Sequence, residues 1–279
     1  MFKKFLVSVD LDSNCFIWTK NFVQRNSKFN FPMKITLIKM ALQRNLIIMS
    51  SPMNQIVPKF KNYMSNFDDK PSSTLYIHLT NENKHGLSKI MTNLYQIQCH
   101  SMDLRLLLTT NANHLQPLDQ VYFEAEMNEN DKNSILNQLK FKGVQELPKI
   151  QLEENEPNFK EEYQSHDFVC LGGTFDRLHE GHKILLSEAA LRCDKVITVG
   201  VTDENMLKSK KVADLIQDTE VRIQNVKDFL FDIRGHDKDF ITAISDPFGP
   251  AIKDESLTCI GNKNSLITIL NYYNVDYFF

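Results

Sequence analysis

No run of about 18 consecutive apolar residues occurs in this 279-residue chain, so no membrane span is expected. There is no excess of positive charge. Thirty-five acids face 32 bases, for a net charge of −3. Bulk electrostatics therefore give no reason to expect nucleic acid or an anionic membrane as partner, while a local basic site for phosphate stays compatible. The five cysteines are widely spaced and never form C-x-x-C, which argues against a disulfide framework and a cysteine zinc site and fits a reducing compartment. The opening MFKKFLVSVDLDSN sets Asp10 and Asp12 directly behind a short apolar run, so neither a secretory signal nor an acid-poor presequence is expected. Neither G-x-x-x-x-G-K-[ST] nor G-x-G-x-x-G occurs, so the two commonest glycine loops for phosphate are absent.

Glycine is scarce, at 9 residues, and histidine numbers 8, yet both concentrate in GGTFDRLHEGH (172–182). The segment sits between an apolar stretch, DFVCLGGTF (167–175), and a helical pattern, GHKILLSEAALRC (181–193), with Ile184, Leu185, Ala189 and Leu191 near one face. KVITVGVT (195–202) follows as a buried strand. Strand, loop, helix and strand make a βαβ unit with a parallel sheet, whose ligands sit beyond the carboxyl ends of its strands. EVRIQNVKDFLFDI (220–233) reads as a further helix and KDFITAIS (238–245) as a further strand.

In that setting Gly172 and Gly173 are expected to let the backbone turn and approach a ligand. The helix opening near Gly181 offers free N–H groups and a partial positive charge. Thr174, His179 and His182 add hydroxyl and imidazole donors. The set suits a phosphate whose charge grows during reaction. Zinc is not favoured, because two histidines three apart have no third ligand nearby.

Upstream, strands are expected at 45–51, 73–80, 103–110 and 119–126, with helices at 57–67, 82–100 and 133–141, the second carrying Leu87, Ile90, Leu94 and Ile97. The acidic, proline-containing 148–166 reads either as a linker or as a solvated helix face. The resulting division is an N-terminal extension (1–44), an α/β domain (45–147), a linker (148–166), a second α/β domain (167–260) and a divergent tail (261–279).

Thr174-Phe-Asp-Arg-Leu-His179-Glu-Gly-His182 resembles the T-F-D…H-x-G-H signature of the nucleotidyltransferase superfamily. Within it, the chain is most similar to the phosphopantetheine adenylyltransferase domain of eukaryotic bifunctional coenzyme A synthases. VGVTDENMLKSKK (199–211), DTEVRIQNVKDFL (218–230) and SDPFGPA (245–251) resemble further segments of that family. The resemblance implies a Rossmann-like nucleotidyltransferase domain with a parallel sheet, preceded by a second α/β domain. It implies transfer of adenylyl from ATP, with magnesium, to 4′-phosphopantetheine, giving dephospho-coenzyme A and pyrophosphate.

By the same resemblance, His182, Thr174 and His179 carry catalysis. Gly172, Gly173, Thr174, Phe175, Lys208, Asp246 and Gly249 bind substrate. His179, Gly181, His182 and Arg222 bind ATP. Lys210 and Lys211 compete with Lys208 for the substrate phosphate, and Arg222 either reaches triphosphate or pairs with Glu220 or Asp218. Asp176 and Arg177 are expected to brace the loop. No residue is expected to hold a metal of its own. Beyond residue 260 the resemblance stops, and the family's S-E-E-T loop is not found. The expectation is a truncated or alternative product with a weakened ATP pocket and, for want of a P-loop, no kinase activity. A non-catalytic nucleotide-binding or partner-recruiting module is the alternative, and a different cytidylyl- or adenylyltransferase the third reading. Location is expected to be cytoplasmic, with mitochondrial association as an implication of the resemblance alone.

Overall fold

A computed structural model of the chain describes residues 43–64, 73–81, 86–97, 102–115, 117–152, 165–207 and 213–246. The architecture is mixed α/β, built on two parallel sheets. The first contains β1 (Gln43–Met49), β2 (Ser73–Leu79), β3 (Met102–Leu106), β4 (Leu118–Glu124) and β5 (Phe141–Leu147), in the order β3-β2-β1-β4-β5. Helices α1 (Met53–Tyr63), α2 (Leu87–Tyr95) and α3 (Glu129–Leu136) connect them. The second holds β6 (His166–Gly173), β7 (Cys193–Thr202) and β8 (Phe240–Ile244) in sequence order, with α4 (Glu180–Arg192), the short α5 (Glu204–Leu207) and α6 (Thr219–Arg234). All the paired strands are parallel, the arrangement expected when helices connect successive strands.

Strand β1 lies mid-sheet and needs apolar side chains on both faces. Its run Leu46-Ile47-Ile48-Met49 is wholly buried. Ile47 and Met49 enter a core with Ile56, Phe60, Leu94 and Leu104, while Leu46 and Ile48 enter another with Leu115, Val121 and Phe123. Where β1 and β4 end, the fully buried Glu124 accepts the N–H groups of Ser50 (2.6 Å) and Ser51 (2.8 Å) and the Ser51 hydroxyl (2.7 Å).

Several expectations change. The first helix starts at Met53, behind Pro52, and carries Pro58 in its interior rather than near its start. The helix expected at 133–141 runs instead over Glu129–Leu136, because the Asn128 side chain accepts the Asp131 N–H at 2.9 Å and caps it there. Phe141–Leu147 is then free to form β5, an edge strand too polar and exposed to show an alternating pattern.

The two sheets share one core, which runs from Ile47 and Leu104 through Ile184 and Leu186 to Phe229. The second half covers the β3 edge of the first sheet: α2 packs on α4, and α6 lies against β3. Helix α4 is consequently not the one-sided amphipathic helix that its pattern suggested. Lys183, Ile184, Leu186, Ser187, Glu188, Ala189, Ala190 and Leu191 are all buried, and Leu185 is only partly so. Most of the 148–166 segment, and all of 1–42 and 247–279, lie outside the described residues.

Candidate active site

Strand β6 delivers Gly172 and Gly173 to its carboxyl end, and the chain then passes through 174–179 into α4. Neither glycine makes the turn. The left-handed backbone belongs to Phe175 (φ 53°) and Arg177 (φ 42°), where a side chain is strained. The bareness of Gly173 serves another purpose. A Cβ there would lie 3.1 Å from the Phe175 ring. Phe175 is fully buried and packs under His182, with ring centroids 5.3 Å apart. Phe175, expected on the substrate side, lies wholly buried beneath the imidazole.

The strained loop is held by a lattice of hydrogen bonds centred on Gln217. Its N–H donates to Asp176 Oδ1 at 2.9 Å, and its side-chain oxygen accepts the Arg177 N–H at 3.0 Å. Arg177 also reaches Asp176 and the Leu215 carbonyl, each at 2.9 Å. Arg222 is 0% exposed and spends its guanidinium inside the protein. It donates to the carbonyls of Thr174 (2.7 Å) and Gln217 (2.8 Å) and to the Thr219 hydroxyl (2.9 Å). Arg222 was expected on ATP, and the structure sets its guanidinium beneath the loop. The side chain is a strap under the loop, and it forms no ion pair with Glu220 or Asp218 among the described residues. Burial lowers its affinity for the proton, against the pull of Asp176, Glu204, Glu220 and Asp203.

His179 caps α4, Gly181 lies in its first turn, and His182 follows one residue later. The two imidazoles stack at 3.9 Å between centroids, with 28° between ring planes. Burial first, and then repulsion from His179, push the His182 pKa down to about 4, and burial lowers that of His179. Near neutral pH both rings are uncharged and each offers one N–H. The Nδ1 atom of His182 is buried without a hydrogen-bond partner. Thr174 is half-buried beside the imidazoles' loop, its hydroxyl 3.4 Å from that of Thr202 at the end of β7. Asp246 lies just past β8, at the same end of the sheet. Lys208, Lys210, Lys211 and Gly249 lie outside the described residues. Among the described residues no three His, Cys, Asp or Glu side chains gather to hold a metal ion, and no helix is long and apolar enough to cross a membrane.

Sequence reasoning missed Gln217 and Thr202. Gln217 carries no local signal, because its role depends on where α6 sets it against the loop. Thr202 could have been found as the polar end of the apolar strand VITVGVT, which a parallel sheet aims at its ligand crevice.

Comparison with known proteins adds two findings. Residues 170–273 match a family model described as cytidylyltransferase-like, and the match extends past residue 260. The chain is 34% identical over 123 residues to an uncharacterised protein of Schizosaccharomyces pombe, covering 44% of this chain and 37% of that one. It is 34% identical over 98 residues to the phosphopantetheine adenylyltransferase of Methanothermobacter thermautotrophicus, covering 35% and 56% respectively. It is 32% identical over 92 residues to the phosphopantetheine adenylyltransferase of Saccharomyces cerevisiae, covering 33% and 30%. The chain thus spans between 30% and 56% of the length of these three relatives. The second sheet and its helices form a Rossmann-like α/β unit, and the cytidylyltransferase-like match begins within its first strand, β6.

Proposed function

We propose that this chain transfers adenylyl from ATP to 4′-phosphopantetheine, giving dephospho-coenzyme A and pyrophosphate. The observation that carries the reading is the pair of stacked, uncharged imidazoles at the first turn of α4, with the buried Nδ1 of His182 unpartnered. The names of the relatives supply the substrate class. In this reaction a phosphate oxygen of phosphopantetheine attacks the α-phosphorus of ATP in line. One P–O bond forms, the bond to the β-phosphate bridge breaks, and pyrophosphate leaves with its electron pair.

No protein nucleophile is required, so catalysis reduces to positioning and charge stabilisation. His182 donates an N–H to the α-phosphate as charge builds there, and Thr174 donates its hydroxyl to the same centre. His179 and the free N–H groups around Gly181 face the outer phosphates. Gly172 and Gly173 lie at the substrate side of the loop. Lys208, or Lys210 or Lys211 in its place, holds the phosphopantetheine phosphate, and Asp246 and Gly249 border the pantetheine. Magnesium arrives on the nucleotide.

The test is pyrophosphate release by the purified chain with ATP, magnesium and 4′-phosphopantetheine. Release that requires phosphopantetheine and falls about 10²–10³-fold in His182→Ala supports the reading. The cytidylyltransferase-like family description favours one rival, and release with cytidine triphosphate and an alcohol phosphate instead would establish it. No turnover by a folded chain that still binds ATP would establish the non-catalytic alternative.

A further inference from the structure

The first turn of α4 is fixed largely from the other half of the chain. Lys183, adjacent to His182, is only 7% exposed, and its ammonium lies 2.6 Å from Oδ1 of Asp103 on β3. The second oxygen of Asp103 meets Arg105 at 2.7 and 2.8 Å, and Arg105 in turn meets Asp232 of α6 at 2.7 Å. Asp232 also accepts the Tyr76 hydroxyl at 2.8 Å. A chain of alternating charge, Lys183–Asp103–Arg105–Asp232, therefore crosses β3 from α4 to α6. Further along α4, Ser187 meets the Tyr95 hydroxyl at 3.0 Å, and Glu188 accepts the Ser88 hydroxyl. The contacts at 183, 187 and 188 lie on one side of the helix.

A buried ion pair is weak as a source of stability, and its best-attested use is to fix register. Register matters at this point. Each residue of an α-helix turns the next by about 100°, so a rotation of α4 re-aims His182. In reactions governed by positioning, a displacement of about 1 Å costs on the order of 10²-fold in rate. We propose that Asp103 is a positioning residue for His182: through Lys183 it sets the rotation of the first turn of α4, and with it the direction of the imidazole.

The kinetic arm of the test rests on the adenylyl-transfer reading, and the spectroscopic arm does not. In the full chain, Asp103→Asn is expected to lower kcat by about 10-fold or more, with the KM for ATP changed by less than about twofold. Asp103→Glu recovers most of the loss, and Asp103→Asn combined with Lys183→Met is no slower than the worse single variant. In the spectrum of ¹⁵N-histidine-labelled protein, the His182 imidazole signals, identified by their disappearance in His182→Ala, move in Asp103→Asn and return in Asp103→Glu. A wild-type chain that releases no pyrophosphate sinks the adenylyl-transfer reading, and the spectra still decide the role of Asp103. Unmoved His182 signals, or an unchanged kcat beside a lowered unfolding midpoint, overturn the proposal. If Asp103→Asn does not fold, Lys183→Met, which leaves Asp103 paired with Arg105, carries both readouts with the same expected outcomes.

Discussion

Replacing Arg222 by methionine keeps the length of the side chain and removes its five donors. Three hydrogen bonds disappear, at 2.7, 2.8 and 2.9 Å. Bonds to charged groups contribute about 1.5–3 kcal/mol each, and releasing the guanidinium from a dry site offsets part of the sum. A net loss of about 2–4 kcal/mol follows, read as a lower urea midpoint by circular dichroism. The loss should also be local. The carbonyls of Thr174 and Gln217 both lose their donor, and the left-handed turns at Phe175 and Arg177 lose their restraint. Amide hydrogen exchange over residues 174–177 is expected to quicken more than exchange in β1. Arg222→Lys retains the charge but cannot span two carbonyls and a hydroxyl, so it falls between wild type and methionine. A loss under about 1 kcal/mol in Arg222→Met, or unaltered exchange over the loop, would refute the strap. A raised KM for ATP with stability intact would put Arg222 on the nucleotide instead.

Acid should weaken the fold through two histidines. His182 and His78 both have their pKa lowered from 6.5 to about 4, chiefly by burial, and Nδ1 of each is buried without a partner. Between those pH values the unfolded chain binds protons that the fold does not, so stability falls as pH drops from about 6.5 to about 4. The slope is about 1.4 kcal/mol per pH unit for each histidine. Urea unfolding at pH 7, 6 and 5 checks this, and His78→Leu should flatten the curve; an equally steep curve in that variant would count against it. At Gly200 an added Cβ would lie 2.9 Å from both Cδ1 and Cγ2 of Ile244. Gly200→Ala is expected to cost about 1–3 kcal/mol, with part recovered by adding Ile244→Val, and calorimetry of the two variants decides it.

Much of this architecture could be read from apolar runs. LIIM in β1 and VITVGV in β7 are buried on both faces and hardly admit another reading. The strand–loop–helix placement of Thr174, His179 and His182 was also legible, because a glycine pair and a helical pattern bracket them. Three things were not. FKGVQEL forms a strand whose residues are mostly solvated, so no burial period marks it. Arg222 was read toward triphosphate or toward Glu220 and Asp218, and only the tertiary fold sets it under the loop. The outward pattern of α4 was misleading for a related reason. Lys183, Ser187 and Glu188 read as a solvated face until α2 and β3 arrive to pair with them.

Glu124 has a consequence for what the first sheet can hold. In parallel sheets of the order 3-2-1-4-5, incoming anions are ordinarily received where the central strands end and a helix begins. Here the N–H groups of Ser50 and Ser51 are already engaged by a carboxylate from β4. A phosphate reaching that corner would find those donors already spent, and it could enter only by evicting Glu124. At that corner the first sheet therefore fills with its own carboxylate the place where an incoming anion would be received.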